Sequence, residues 1–302
     1  VSKTGSTQVE ILNLDEAESK IPKELGIRLS SLFMYDKLVF VEGPSDEAIL
    51  RELASKLELN LGQNNAGFIR MGGVRNFAYY ATEETLSFLT KRRVKMWFLV
   101  DKDEKDKDYF ERLERQLNGK ANFKVLSKRE LENYLVCPRA LKEFIKLKHE
   151  LSGKSCTIPD ETKIKEDINE CANQLRQFTI NKRLFLYLFA PIYPHCDIDF
   201  ENIDESEIKE KVSDDIAGMI KLLEDEKNKV DEIYREQNEF VDSNWENNKM
   251  SLVPGDILID KICQKYDSKF NKIKDGERLA SLMEKEEIDQ EIKAFLIEVC
   301  DT

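Results

Sequence analysis

A chain of 302 residues with a formal net charge of −12 is long enough for about two domains and too acidic for a protein that simply coats nucleic acid. Its hydrophobic fraction of 41% suffices for a core, and its charged fraction of 35% points to much solvated helix. No apolar run reaches the ~18 residues that span a bilayer and no signal peptide opens the chain, so a cytoplasmic location is expected. Six cysteines without a C-x-x-C pair, and two histidines, His149 and His195, argue against a zinc site and for reduced thiols. An acidic chain can still act on nucleic acid, provided that carboxylates gather divalent cations and basic residues are kept local.

In chain order, residues 1–36 form a lead-in with one short strand, Gln8 to Leu12, followed by Pro22, Leu25 to Arg28 and Leu29 to Met34. The β-branched and aromatic run Leu38 to Val41 predicts a buried strand that Gly43-Pro44 ends, and Ile49, Leu50, Leu53 and Leu57 fall at helical spacing behind it. Gly67 to Met71 predicts a second strand, and Val74 to Leu89 a helix anchored by Phe77, Tyr80, Leu86 and Phe88. Val94 to Val100 is the clearest strand, and it runs into Asp101-Lys102-Asp103. Asp108 to Leu117 predicts a helix, Asn122 to Leu126 a fourth strand, and Arg139 to Leu147 a further helix. Strands alternating with helices indicate an α/β fold with a parallel sheet.

After about residue 150 glycine nearly vanishes and helical stripes dominate. The candidates are Ile164 to Phe178, Lys182 to Phe189, and Glu205 to Phe240 broken at some point, with Pro191 and Pro194 between them and Trp245 at the end. This predicts a helical domain or insertion over 151–250. Beyond the turn Val253 to Asp256 come an amphipathic Ile257 to Tyr266 and a last helix, Ile288 to Val299.

Acids follow three strands: Glu42 and Asp46 the first, Asp101 and Asp103 the third, Glu130 and Glu132 the fourth. In a parallel sheet these ends share one edge, where α/β folds place ligands. Clustered carboxylates without histidine or thiolate favour Mg²⁺ or Mn²⁺, and a pair of such ions suits in-line displacement at a phosphodiester. Three readings stay open. Asp46 is either a helix cap or a ligand. The D-x-D turn is either a ligand pair or solvated charge; a calcium loop is rejected, because Lys105 and Asp106 occupy its acidic and glycine positions. On a helix only one of Glu130 and Glu132 would face the site. His195, in Pro194-His195-Cys196-Asp197, lacks a third group for nucleophilic catalysis. Arg70, Arg75, Arg92, Arg93, Lys128 and Arg129 lie near the expected edge and could track a DNA backbone or be plain solvated charge.

Val41 to Glu47, the strand ending in Asp101-x-Asp103, and the segment Glu130-Leu131-Glu132-Asn133-Tyr134-Leu135 together resemble the Toprim domain of overcoming-lysogenization-defect (OLD) family nucleases, over residues 36 to 150. The resemblance implies a Toprim fold (37–150), a helical domain, and a C-terminal segment (251–302) returning to the Toprim part. It implies a DNA nuclease with two Mg²⁺ or Mn²⁺ ions and a part in phage defence. Glu42 and Asp46 would hold one ion, Asp101 and Asp103 the other, and Glu130 or Glu132 would complete the set. Such nucleases usually carry an ATPase domain in front, through which a homodimer or higher oligomer would form. No Walker A motif occurs here, so the C-terminal half of a longer protein is expected. The family's lysine after Pro-Gly is missing, since Pro254-Gly255 is followed by Asp256, and Lys261 is the nearest substitute. Other Toprim enzymes, such as topoisomerases and primases, and a non-catalytic module for dimerisation or sensing are the alternatives.

Overall fold

The computed structural model describes residues 2–3, 7–8, 35–153, 157–188 and 205–301. The lead-in stretches 9–12 and 22–34, His195 with its neighbours, and Pro191 lie outside these residues. The chain divides into two compact units, Val1–Ile168 with Pro254–Thr302, and Asn169–Val253.

Ser2–Lys3 and Thr7–Gln8 pair as a minimal antiparallel hairpin. The main sheet has four strands, β1 (Lys37–Val41), β2 (Ala66–Arg70), β3 (Lys95–Val100) and β4 (Asn122–Val125), in the order β2-β1-β3-β4 and parallel throughout. Parallel strands need crossovers, here supplied by α1 (Pro44–Lys56), α2 (Glu83–Lys91) and α3 (Lys107–Gln116). The fold is α/β and Toprim-like, with a large added helical part.

Side chains alternate across a strand, so each strand feeds two cores. Leu38, Phe40, Met96 and Phe98 join Phe77, Leu86 and Leu113 on one face, where Phe40 and Phe98 stack at 4.2 Å. On the opposite face Trp97 donates its indole N–H to Glu298 at 2.8 Å, in α11 (Gln290–Asp301). The expected helix over 74–89 is broken. A 3-10 turn (Val74–Asn76) and a helical turn (Phe77–Tyr80) precede α2, which starts afresh because the Thr82 hydroxyl caps the Thr85 N–H.

After β4 come a 3-10 segment, Leu131–Leu135, and α4 (Pro138–Ser152) with proline at its first position. Then follow α5 (Glu161–Gln174), α6 (Arg176–Leu188), α7 (Glu205–Asn228) and α8 (Val230–Leu252). The long helical stretch thus breaks at Lys229, and Trp245 does not end it. In the unit Asn169–Val253, Ile180, Val241 and Trp245 are buried, and Trp245 donates to Asn173 at 3.1 Å. No described helix is long and apolar enough to cross a membrane.

The first unit is completed by α9 (Gly255–Gln264), α10 (Lys272–Ser281) and α11. Helix α10, for which no expectation was drawn from the sequence, packs on α1, while α9 packs on the 3-10 segment.

Candidate active site

The site is built at the C-terminal ends of β1 and β3. Past Val41 the Glu42 carbonyl accepts the N–H groups of Gly72 and Gly73 at 2.8 and 2.9 Å, so β2's exit is tied to β1's. The Glu42 carboxylate accepts the Asp101 N–H at 3.1 Å, tying in β3. Asp101 in turn accepts the Leu131 N–H at 3.1 Å, which fixes the start of the 3-10 segment. One chain of hydrogen bonds therefore runs through three successive elements along the sheet edge.

Asp46 is the third residue of α1, and its carboxylate accepts the Gly43 N–H at 2.7 Å and the Ser45 hydroxyl at 3.2 Å. The helix thus starts earlier than expected, with Gly43 as its N-cap, and Asp46 supports that cap from the third helical position; a carboxylate has about four lone-pair positions, so capacity for a cation remains. Asp103 adopts a left-handed backbone, φ +46°, held by its N–H on the Arg129 carbonyl at 2.8 Å. Lys105 reaches its carboxylate at 2.8 Å.

Glu130 and Glu132 diverge, because the first is the extended residue before the 3-10 segment and the second lies within it. Glu130 accepts from Arg129 at 2.5 Å and from the Asp256 N–H at 2.9 Å. Glu132 has no exposed surface, and neither of its carboxylate oxygens has a hydrogen-bond partner. The ammonium of Lys272, first residue of α10, lies 3.5 Å away.

Burial raises the carboxyl of Asp101 well above the usual range, and the carboxylates of Asp46, Glu42, Glu132 and Asp103 add to it. Burial likewise raises Glu42, Asp46 and Glu132, partly offset by Lys105 for the first and by Lys272 for the other two. Glu130 is pushed up to about 8 by burial, against the pull of Arg129. The two lysines answer in kind: burial opposes their charge, but Asp103 and Glu42 hold Lys105 up, and Glu132, Glu130, Asp46 and Asp101 hold Lys272 up.

These five acids, Glu42, Asp46, Asp101, Asp103 and Glu132, form one electrostatic cluster. A hollow of about 10 Å³ is bordered by Glu42, Asp46 and Asp101 but also by Val41, Leu99, Val100, Leu126 and Leu131, and its wall is apolar, so it is not itself a seat for an ion. The donors are all oxygens, which suits hard divalent cations. The unpartnered, fully buried carboxylate of Glu132 is a group that a cation would satisfy. By these two criteria the residues fit a divalent ion. No ready-made cage of three acidic, histidine or cysteine side chains is assembled among the described residues, and Lys105 and Lys272 stand among the acids instead.

Several residues take other places than expected. Arg129, expected at a DNA backbone, is buried, with its guanidinium on Glu104 at 2.7 Å and on Glu130. Lys128 pairs with Asp289 at 2.8 Å and lies over the Tyr134 ring. Arg70 is exposed and paired with Glu47 at 2.6 Å; Arg75, Arg92 and Arg93 are exposed. Lys261 lies in α9, and its ammonium makes no hydrogen bond or ion pair among the described residues, whereas Lys272, unremarked in the sequence, reaches the cluster.

Residues 33–103 match the family model described as overcoming lysogenization defect protein-like, TOPRIM domain. The chain carries an OLD-like Toprim domain. The matched span of this domain holds Glu42, Asp46, Asp101 and Asp103, and it ends before Glu130, Glu132 and Lys272. No curated protein and no solved structure matches the chain.

Proposed function

We propose that the protein is a metal-dependent DNA endonuclease, the nuclease half of an ATPase–nuclease protein, working with two Mg²⁺ or Mn²⁺ ions. The observation that carries this reading is the convergence of five carboxylates at one edge of an OLD-like Toprim sheet, one of them buried without a hydrogen-bond partner. A fold does not pay to keep clustered, buried charge unless the charge is used.

In this reading Glu42, Asp46, Asp101, Asp103 and Glu132 hold the ions. Bound divalent ions would supply an activated water and steady the leaving oxygen. Glu42 and Asp101 also fix the spacing of the site through the Asp101 N–H and the Leu131 N–H. Glu130 and Arg129 act as a buried pair that positions the D-x-D loop and the start of α9. Lys272, rather than Lys261, is the lysine that can offer positive charge to a phosphate at the rim. Exposed Arg70 and Arg75, at the exit of β2, are the phosphate-backbone candidates that remain.

Supercoiled plasmid incubated with Mn²⁺ or Mg²⁺ tests this. Nicked or linear product is expected, and its loss in both Glu42→Ala and Asp101→Ala, by ~100-fold or more in rate. An intact plasmid under either metal would put a non-catalytic Toprim module ahead; the two lysines that partly offset the cluster favour that second reading. Relaxed, closed circles would indicate a topoisomerase.

A further inference from the structure

The acid cluster is partly offset from two sides, by one ammonium from each of two unrelated elements. Lys105, in the loop after β3, contacts Asp103 at 2.8 Å and lies 5.4 Å from the centre of the Tyr109 ring. Its side chain is 12% exposed, so it belongs to the site's wall rather than to the surface. Lys272 approaches from α10, 3.5 Å from Glu132, with 41% of its side chain exposed. The remaining acids are shared out, Glu42 acting on Lys105, and Asp46 and Asp101 on Lys272.

An ammonium is a poor substitute for a divalent ion here. It carries one charge, and at 3.5 Å Lys272 makes no hydrogen bond with Glu132, whose two oxygens stay unsatisfied. It is nevertheless tethered, and so always present.

We infer that Lys105 and Lys272 are the resident counter-ions of the cluster, one on each side, and that a divalent cation binds by displacing them. The inference rests on the two-ion reading proposed above. Displacement leaves Lys272, which is half in solvent, at the rim with its charge free for a phosphate. Lys105 has less freedom and must withdraw toward Tyr109.

The test is Mn²⁺ titration of the full chain by calorimetry, with thermal unfolding in EDTA and in Mn²⁺ beside it. Lys272→Met and Lys105→Met keep the stems and remove the competing charges. Each is expected to bind Mn²⁺ about fivefold or more tightly than the wild type. Each should melt lower in EDTA, because the acids lose their counter-ion, and regain the difference in Mn²⁺. Lys274→Met, which removes an exposed charge two residues along α10, should change affinity less than about twofold. Equal or weaker Mn²⁺ binding by both site variants would overturn the inference while leaving the two-ion reading intact. So would equal tightening by Lys274→Met, since the effect would then be overall charge. A wild-type chain that takes up no Mn²⁺ would overturn both.

Discussion

Glu132 concentrates the physical tension of the molecule. A carboxylate with no exposed surface and no hydrogen bond on either oxygen costs a few kcal/mol if ionised, and it escapes that cost by taking a proton or a cation. Glu42, Asp46, Asp101 and Glu130 are likewise displaced upward from the usual range, Asp101 well above it. A group whose folded-state pKa is raised stabilises the fold fully below its ordinary value, and that contribution is lost as pH rises through the raised value. For Glu130 the window runs from 4.5 to about 8. The carboxyls displaced downward, Asp167, Glu287, Asp289 and Glu291, act only below the usual carboxylate range and leave this window alone. Metal-free protein in EDTA should therefore melt higher at pH 6 than at pH 8. Glu132→Gln should shrink the difference and stabilise by about 1–2 kcal/mol at pH 8. A variant less stable than the wild type at pH 8 would mean that the attraction of Lys272 outweighs the cost of burying the Glu132 charge.

Among elements, the joint between α9 and the 3-10 segment sets where Glu132 lies. A Cβ on Gly255 would come 2.5 Å from the Asn133 nitrogen and 2.8 Å from the Glu132 carbonyl carbon, both backbone atoms that cannot rotate aside. Gly255→Ala is expected to cost about 2–4 kcal/mol in denaturant unfolding and to weaken Mn²⁺ binding, because Leu131–Leu135 must move as a piece. A loss under about 0.5 kcal/mol would show that the joint is loose. This close approach also explains why part of the site was hidden in the sequence. The ends of β1 and β3 were legible, since Leu38 to Val41 and Val94 to Val100 are apolar runs that stop at acids. The break at Thr82 was not, because the apolar spacing of Phe77, Tyr80 and Leu86 runs straight across it. Helix α10 was missed for a different reason. Half of its run Lys272–Ser281 is charged, and it holds Gly276 in its interior, which propensity counts against a helix. The structure gives that glycine a reason, for a Cβ there would lie 3.0 Å from the Ile49 side chain on α1. Without that helix Lys272 has no expected place, and Lys261, nearer in sequence to the Pro-Gly turn, is the substitute that the sequence offers. Glu130 and Glu132 could not be separated without knowing that the backbone is extended at one and 3-10 at the other.

For the whole molecule, the Toprim sheet and the last three helices are one folding unit although the unit Asn169–Val253 lies between them in sequence. Leu258, Ile259, Ile262, Leu279, Ile292, Phe295, Leu296 and Val299 are buried. Each of these eight side chains contributes about 1.5–3 kcal/mol of burial, so removing them together would take away more than a marginally stable fold can lose. Polar ties run the same way. The Trp97 indole bonds to Glu298 at 2.8 Å, the Lys37 ammonium to the Cys300 carbonyl at 2.6 Å, Arg139 to Glu287 at 2.6 Å, and Glu130 to the Asp256 N–H. Tyr134 is held against Glu291, which also accepts from the Ser127 N–H at 3.1 Å. A chain ending at Val253 should therefore lack a cooperative unfolding transition for the sheet, and amides in β1 and β3 should exchange at rates near those of an unfolded chain. It should also lose the Mn²⁺-induced rise in melting temperature, since Lys272 and the support of Glu132 leave with α9 and α10. Protection of the Val39 and Phe98 amides in that truncated chain would show instead that the sheet folds without its C-terminal helices.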